Sequence, residues 1–274
     1  MEQKWALILG ASSGFGGASA IELAKNGYNI FGIHLDRQAT MPLVQQIIKK
    51  IEKTGQKAVF FNINAADSIK RNDTLDEITE RFTIKEKPQV NVLIHSLAFG
   101  TLKPYISKNP NDTITPAQMS MTLDVMAHSL VYWTQGLVQR NLFAHGGRIF
   151  ALTSAGSHTV IPSYGAVSAA KAALEAHIRQ LAVELGPMKI ACNSIMAGVT
   201  DTPAGRKIPM FDKMLHAARQ KNPQYRLTTP EDVAKAIVAL CDEKCGWISG
   251  NVIGVDGAEY VVNYIGEKSS GAIK

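Results

Sequence analysis

A chain of 274 residues, 46% of them hydrophobic, is long enough for one large domain with a substantial core, and its ordinary composition excludes disorder, collagen-like repeats and a disulfide scaffold. Lys and Arg number 29 against 23 Asp and Glu, and the formal charge of +6 suits an anionic cofactor or acidic partner while being too small to argue for nucleic acid. Three cysteines fit a reducing cytoplasm, and no apolar run approaches membrane-spanning length.

The N-terminus enters a strand-like run, "WALILG", almost at once, so no signal peptide is expected. The following "ASSGFGG" leads into a helix-period segment over 16–26. Gly10, Gly14 and Gly16 stand at this strand-to-helix turn, where glycine permits a tight bend and lets backbone N–H groups approach a pyrophosphate. Ser12 and Ser13 add hydroxyl donors, and Phe15 lies inside the same loop. A preceding strand and a following helix are the context the motif requires, so a dinucleotide site is expected.

The second strand, "YNIFGIH", ends near Asp36 and Arg37, which pull in opposite directions. A carboxylate accepts from a ribose 2′-OH and repels a 2′-phosphate; an arginine pairs with that phosphate. No second basic residue supports Arg37 locally, so NADH is favoured over NADPH.

Beyond it, strand-like runs "KAVFFNI", "VNVLIHS", "GRIFALT", "KIACNSI" and "NVIGVD" alternate with helix-period segments at 41–54, 68–82, 116–140, 168–185 and 230–241. The strands read as nearly continuous apolar strings, as expected where helices cover both faces of a sheet. The order predicts an α/β fold with a Rossmann-type doubly wound parallel sheet, in a single domain spanning 1–274. Residues 199–227 interrupt the rhythm as a long insertion, expected to be a helical substrate lid. In it, Met210, Phe211, Met214 and Leu215 have the spacing of one helical face. Cys241 and Cys245 in "CDEKC", with Cys192, lack a second ligand pair, so no metal site is expected. The tail, 268–274, is expected to be loose.

With these residues assembled, the chain resembles the short-chain dehydrogenase/reductase superfamily over nearly its whole length. The spacing of Gly10, Gly14 and Gly16 matches that family's cofactor loop, and "ISGNVIGVDG" matches its last strand. Asn64 and Ala65 stand where the family places an acid-hydrophobe pair beside the adenine. Three departures are similar to the bacterial enoyl-acyl carrier protein reductases. "HSLAFG" replaces the usual Asn-Asn-Ala-Gly, Asp124 takes the place of a helical asparagine, and the tyrosine in "SYGAVSAAK" stands seven residues before Lys171, with Val167 at the usual four. "IPSY" and "AGVTDTPA" also resemble those enzymes. One feature departs from them: Ser154 stands ten residues before Tyr164, where many have a second tyrosine and where the wider superfamily keeps its catalytic serine.

The wider spacing suits reduction of a double bond. Hydride goes to C3 of a trans-2-enoyl thioester while negative charge collects on the oxygen at C1, two carbons further away. Four helical residues advance about 6 Å and seven about 10.5 Å, both keeping the side chains on roughly one face. The resemblance then implies Tyr164 as donor to the enolate oxygen, Lys171 as ligand of the nicotinamide ribose, and Ser154 as an aid to the thioester oxygen. Ser96, Leu97 and Ala98 would run past adenosine and ribose, and Thr200 and Thr202 would fix carboxamide and pyrophosphate. Phe99, Tyr164, Met210, Phe211 and Met214 would meet the acyl chain. His95 is expected to be structural, and Asp124 to hold backbone groups or relay protons.

Arg206, Lys207, Lys213, Arg219, Lys221 and Arg226 share the insertion with Asp201 and Asp212, a patch suited to an acidic acyl carrier protein. Family likeness implies a homotetramer. Two other readings stay open: a 3-ketoacyl or alcohol oxidoreductase, and a non-catalytic dinucleotide-binding protein.

Overall fold

The computed structural model describes residues 3–80 and 89–262. Seven strands form one sheet: β1 (Lys4–Leu9), β2 (Tyr28–His34), β3 (Ala58–Asn62), β4 (Gln89–His95), β5 (Phe143–Thr153), β6 (Ala191–Ala197) and β7 (Val252–Val255). Their order is β3-β2-β1-β4-β5-β6-β7, and every neighbouring pair is parallel. The order reverses between β1 and β4, and a crevice at the carboxyl ends of strands on either side of such a switch is where α/β sheets bind ligands.

The apolar strings are explained by burial on both faces. In β1, Trp5, Leu7 and Leu9 point into one core and Ala6 and Ile8 into the other. The period of two along a strand divides them. Helices α1 (Gly14–Lys25) and α2 (Met41–Glu52) cover the second face with α8 (Pro230–Leu240), through Leu23, Ile51 and Val233 among others. The first face is covered by α3 (Ser68–Glu80), α5 (Ser129–Gln139) and α6 (Gly165–Glu184), through Leu75, Trp133 and Leu174. Trp133 is fully buried, and its Nε1 donates to the Ala65 carbonyl at 2.9 Å, so a large apolar ring is buried without stranding its one donor.

The helix expected over 116–140 is α4 (Pro116–Leu123) running into α5 through one π turn, Asp124–His128. The extra residue of that turn carries Asp124 out to solvent, while Met126 remains buried. The predicted starts of two helices were late: α1 begins at Gly14, and α6 begins at Gly165. Helix α7 (Phe211–Lys221) forms within the insertion. The predicted tail and the end of the helix predicted over 68–82 lie outside the described residues. Among the described residues no helix is long and apolar enough to cross a membrane.

Candidate active site

The glycine loop is shaped by close backbone approaches. Gly10 turns at φ +91°, and the N–H groups of Gly10 and Ala11 both donate to the Ile33 carbonyl, at 2.8 and 3.0 Å. A Cβ on Gly10 would lie 2.5 Å from the Ser96 carbonyl oxygen, and one on Gly16 would lie 2.1 Å from the Gly10 carbonyl oxygen. Gly14, at φ +51°, opens α1 beside the Thr202 methyl. Ser13 is the N-cap of α1 in extended conformation without a side-chain cap bond, and the first turn holds no acidic residue. In α4 and α8, by contrast, threonine capping boxes satisfy the corresponding N–H groups. The N-terminus of α1 thus retains donors and partial positive charge for a phosphate.

At the end of β2, Asp36 Oδ2 lies 3.0 Å from His34 Nδ1. Burial pushes the Asp36 carboxyl up, but hydrogen bonds from Thr40, Ser12 and His34 outweigh it and hold the group below the ordinary aspartate value. Arg37 is exposed. Asn64 Oδ1 accepts from the Ala66 N–H at 3.0 Å and closes the turn into α3; like Asp36 and Arg37, neither Asn64 nor Ala65 lines the cavity that holds Tyr164 and Lys171.

A cavity of about 300 Å³ lies at the carboxyl ends of β4, β5 and β6. It brings together Phe15 of the glycine loop, Ser96, Leu97, Ala98 and Phe99 after β4, Ser154 after β5, Tyr164 and Lys171, then Thr200, Thr202, Phe211 and Met214. Thr200 Oγ1 donates to the Gly198 carbonyl at 2.9 Å, and Thr202 Oγ1 accepts from the Gly205 N–H at 3.1 Å.

Tyr164 is the N-cap residue of α6 and sits half-buried, its carbonyl accepting from the Ser168 N–H at 2.9 Å. A Cβ on Gly156 would lie 2.7 Å from the Tyr164 ring and 3.2 Å from Ser154 Oγ, so glycine there lets phenol and hydroxyl share one corner. Burial raises the phenol pKa, and the Ser154 hydroxyl pulls it back only in part, so the phenol stays protonated at neutral pH. Ser154 Oγ is buried beside the Tyr164 phenol and has no other polar partner, which suits it to a ligand oxygen. Lys171 is 5% exposed, and its Nζ donates to the Leu152 carbonyl at 2.5 Å. Burial lowers its pKa to about 8, against the attraction of Glu175. Val167, four residues before it, presents an apolar side chain to the same cavity.

His95 is fully buried behind the site, with Nε2 2.9 Å from Ser129 Oγ, which itself donates to the Val125 carbonyl at 2.9 Å. Burial, and then the Lys171 charge, lower its pKa to about 3, so it is a neutral structural imidazole. Asp124 is exposed and outside the cavity, so its carboxylate does not reach the site.

Two expectations about the insertion are corrected. Met210 does not line the cavity: it precedes α7 at φ +59°, outside the helix's face, and is 60% exposed. The basic patch is also partly neutralised. Arg206 makes a two-pronged bond to Asp201, both contacts at 2.7 Å, and Arg226 pairs with Asp232. Lys213 and Arg219 are exposed on α7, and Lys207 Nζ lies 5.7 Å from the centre of the Phe99 ring at the cavity rim.

Among the lining residues that the sequence did not point to are Met126 on the π turn, Ile208, and Tyr260 in the turn after β7. Glu259, 2% exposed, accepts from the Val199 N–H at 3.2 and 3.3 Å and ties that C-terminal turn to the loop carrying Thr200. The rule that ligands lie beyond the carboxyl ends of strands would have directed attention to "DGAEY". The three thiols are free; burial raises Cys192 and Cys241 to about 12, which leaves them unreactive. Among the described residues no group of three or more His, Cys, Asp or Glu could hold a metal ion.

The tight glycine cradle and the uncapped α1 N-terminus fit a nicotinamide dinucleotide. Residues 10–258 match the family model described as Enoyl-(Acyl carrier protein) reductase. The chain is 29% identical over 262 residues to the enoyl-acyl-carrier-protein reductase (NADH) FabI of Buchnera aphidicola, covering 94% of this chain and 95% of that one. It is 25% identical over 276 residues to versicolorin reductase stcU of Emericella nidulans, with 95% and 97% covered. The crystal structure of enoyl-acyl-carrier-protein reductase (NADH) from Aquifex aeolicus matches with a TM-score of 0.81 at 23% identity, covering 96% of this chain and 99% of that one, a likeness of fold.

Proposed function

We propose, from the premise that the chain belongs to the short-chain dehydrogenase/reductase superfamily and within it to the Enoyl-(Acyl carrier protein) reductase family, that it reduces the trans-2 double bond of enoyl thioesters carried by acyl carrier protein or coenzyme A in fatty-acid synthesis. One observation carries the reading: Tyr164 and Lys171 share a cavity seven residues apart, and the position four before Lys171 is the apolar Val167. A phenol at the helix entrance reaches an oxygen remote from the attacked carbon better than one a turn further in.

A reduced nicotinamide held here would supply the hydride that C3 of the enoyl group takes up, its ring being left oxidised, and a proton gained at C2 as the enolate collapses completes the saturated thioester. Tyr164, kept protonated by burial, donates to the oxygen on which enolate charge collects. Ser154 Oγ, otherwise without a partner, donates to the same thioester oxygen. Lys171 holds the ribose and places positive charge beside the developing anion. The α1 N-terminus with Thr202 receives the pyrophosphate, and Asp36 receives the ribose hydroxyls. An ionised Asp36 and an exposed, unsupported Arg37 favour NADH over NADPH.

Phe211 and Met214, with Phe99, form the apolar wall for the acyl chain, and the insertion over 199–227 acts as a lid. Lys213 and Arg219 on α7 and Lys207 at the rim offer the charge for an acidic carrier protein. Because Asp201 already occupies Arg206, charge reversal belongs at Lys213 and Arg219. That double change is expected to raise KM for a carrier-linked enoyl substrate about tenfold and to leave a small uncharged crotonyl thioester unaffected. Equal effects on both would remove carrier docking on α7. Family membership also supports a homotetramer, which analytical ultracentrifugation reads directly.

The reaction is tested by offering crotonyl and acetoacetyl thioesters with NADH and with NADPH and following nicotinamide absorbance. Oxidation with the crotonyl thioester is expected. Oxidation with the acetoacetyl thioester alone would favour the second reading, a 3-ketoacyl or related ketone reductase, which Ser154 in the cavity beside Tyr164 supports. Cofactor binding without turnover on a broad panel would point to a non-catalytic dinucleotide-binding protein.

A further inference from the structure

We infer that Glu175, anchored by Thr153, is a positioning residue that keeps the Lys171 ammonium charged in place, and so sets the pH range over which the dinucleotide is held. The inference rests on the dinucleotide-binding reading above but not on which bond is reduced.

Lys171 is buried, and its ammonium donates to one backbone carbonyl, that of Leu152. An ammonium in such a place loses most of its hydration, which favours the neutral amine. The groups facing it come from two elements, β4 and α6. At the end of β4 stands His95, which is neutral and contributes no counter-charge. At the entrance of α6 stands Tyr164, a protonated phenol. On α6 itself, one turn beyond Lys171, stands Glu175, the group whose charge opposes the effect of burial.

A carboxylate on a helix surface would ordinarily swing among rotamers and be screened by water. Glu175 is restrained. Thr153, 6% exposed at the end of β5, donates through Oγ1 to Glu175 Oε1 at 2.6 Å, a short charge-assisted bond. Three successive residues at the end of β5 thus serve one purpose: Leu152 accepts from the ammonium, Thr153 fixes its counter-ion, and Ser154 faces the ligand. The sheet end places the charge, while Glu175 itself need not touch the cofactor.

The sign follows from the electrostatics. Without the negative charge, Lys171 loses its proton at lower pH, so cofactor affinity is lost earlier on the alkaline side and is unchanged where the amine remains charged. The test is the NADH dissociation constant from pH 6 to 9.5, read by nicotinamide fluorescence. The wild-type protein is expected to bind NADH with an affinity that falls near pH 8. Glu175→Gln preserves an acceptor for Thr153 and removes the charge; its alkaline fall is expected about one pH unit lower, with affinity about fivefold weaker at pH 8, approaching about tenfold at pH 9, and within about twofold at pH 6. Thr153→Val keeps the charge and frees it to swing, and is expected to shift in the same direction by less, whereas Thr153→Ser, which retains the hydroxyl, restores the wild-type profile. The Thr153 pair gives the answer even if Glu175→Gln fails to fold. Uniform weakening at every pH, or unmoved alkaline limbs, would overturn the inference. A wild-type protein that binds neither NADH nor NADPH at any pH would remove the dinucleotide reading and this inference with it.

Discussion

Tyr164→Phe is expected to lower kcat/KM for crotonyl thioester about a thousandfold while changing the NADH dissociation constant by less than about twofold. The substitution removes one oxygen from a half-buried ring whose packing against Gly156 and the α6 entrance is otherwise preserved. What is lost is a hydrogen bond that strengthens only as charge builds on the thioester oxygen, so the cost falls on the transition state rather than on cofactor binding. Steady-state kinetics beside a fluorescence titration separates the two. Retention of more than about a tenth of the activity would mean that another acid serves the site, and Tyr260, whose ring also borders the cavity, would be the first to examine.

How much of this site could be read from residues alone depended on whether a side chain's role is local. The seven-strand alternation was legible because burial on both sheet faces leaves continuous apolar strings such as "WALIL", each flanked by helix-period segments. The glycine loop was legible because positive φ and close approach demand glycine at fixed spacing, as Gly10 and Gly16 show. The Tyr164–Lys171 pair was legible because both belong to one helix and its entrance.

What escaped depended on backbone irregularity or on contacts distant in sequence. A π turn has no signature in hydrophobic period, so Asp124 was placed as though on an unbroken α-helix and instead faces solvent. Met210 has the right spacing for the lid's apolar face, but the chain enters α7 through a left-handed residue at Met210 itself. Tyr260 reaches the cavity from a turn held by contacts distant in sequence, among them Glu259 accepting from the Val199 N–H, sixty residues earlier in the chain. The charges of the insertion were counted correctly, yet ion pairs such as Arg226 with Asp232 lie partly beyond its boundary, so the count overstated what is free.

The glycine loop yields the other large effect, and two substitutions there separate folding from binding. Gly16→Ala would set a Cβ 2.1 Å from the Gly10 carbonyl oxygen and 2.9 Å from its carbon, both backbone atoms that cannot rotate away. The loop must shift, at a cost of about 1–3 kcal/mol or more, and NADH binding is expected to vanish with a clear fall in Tm. Gly14→Ala is different: its Cβ meets the Thr202 methyl at 3.6 Å, an ordinary contact, so what it adds is the left-handed strain of about 1–2 kcal/mol at φ +51°. For a chain of this size that corresponds to a fall in Tm of several degrees with the fold retained. The new methyl nevertheless stands beside the first turn of α1, on the path assigned to the pyrophosphate. NADH affinity is therefore expected to fall at least about tenfold in Gly14→Ala, out of proportion to the loss of stability. Calorimetry and fluorescence titration on the same preparation give both numbers. A folded Gly14→Ala protein that binds NADH as tightly as the wild type would show that the pyrophosphate does not pass between Gly14 and Thr202.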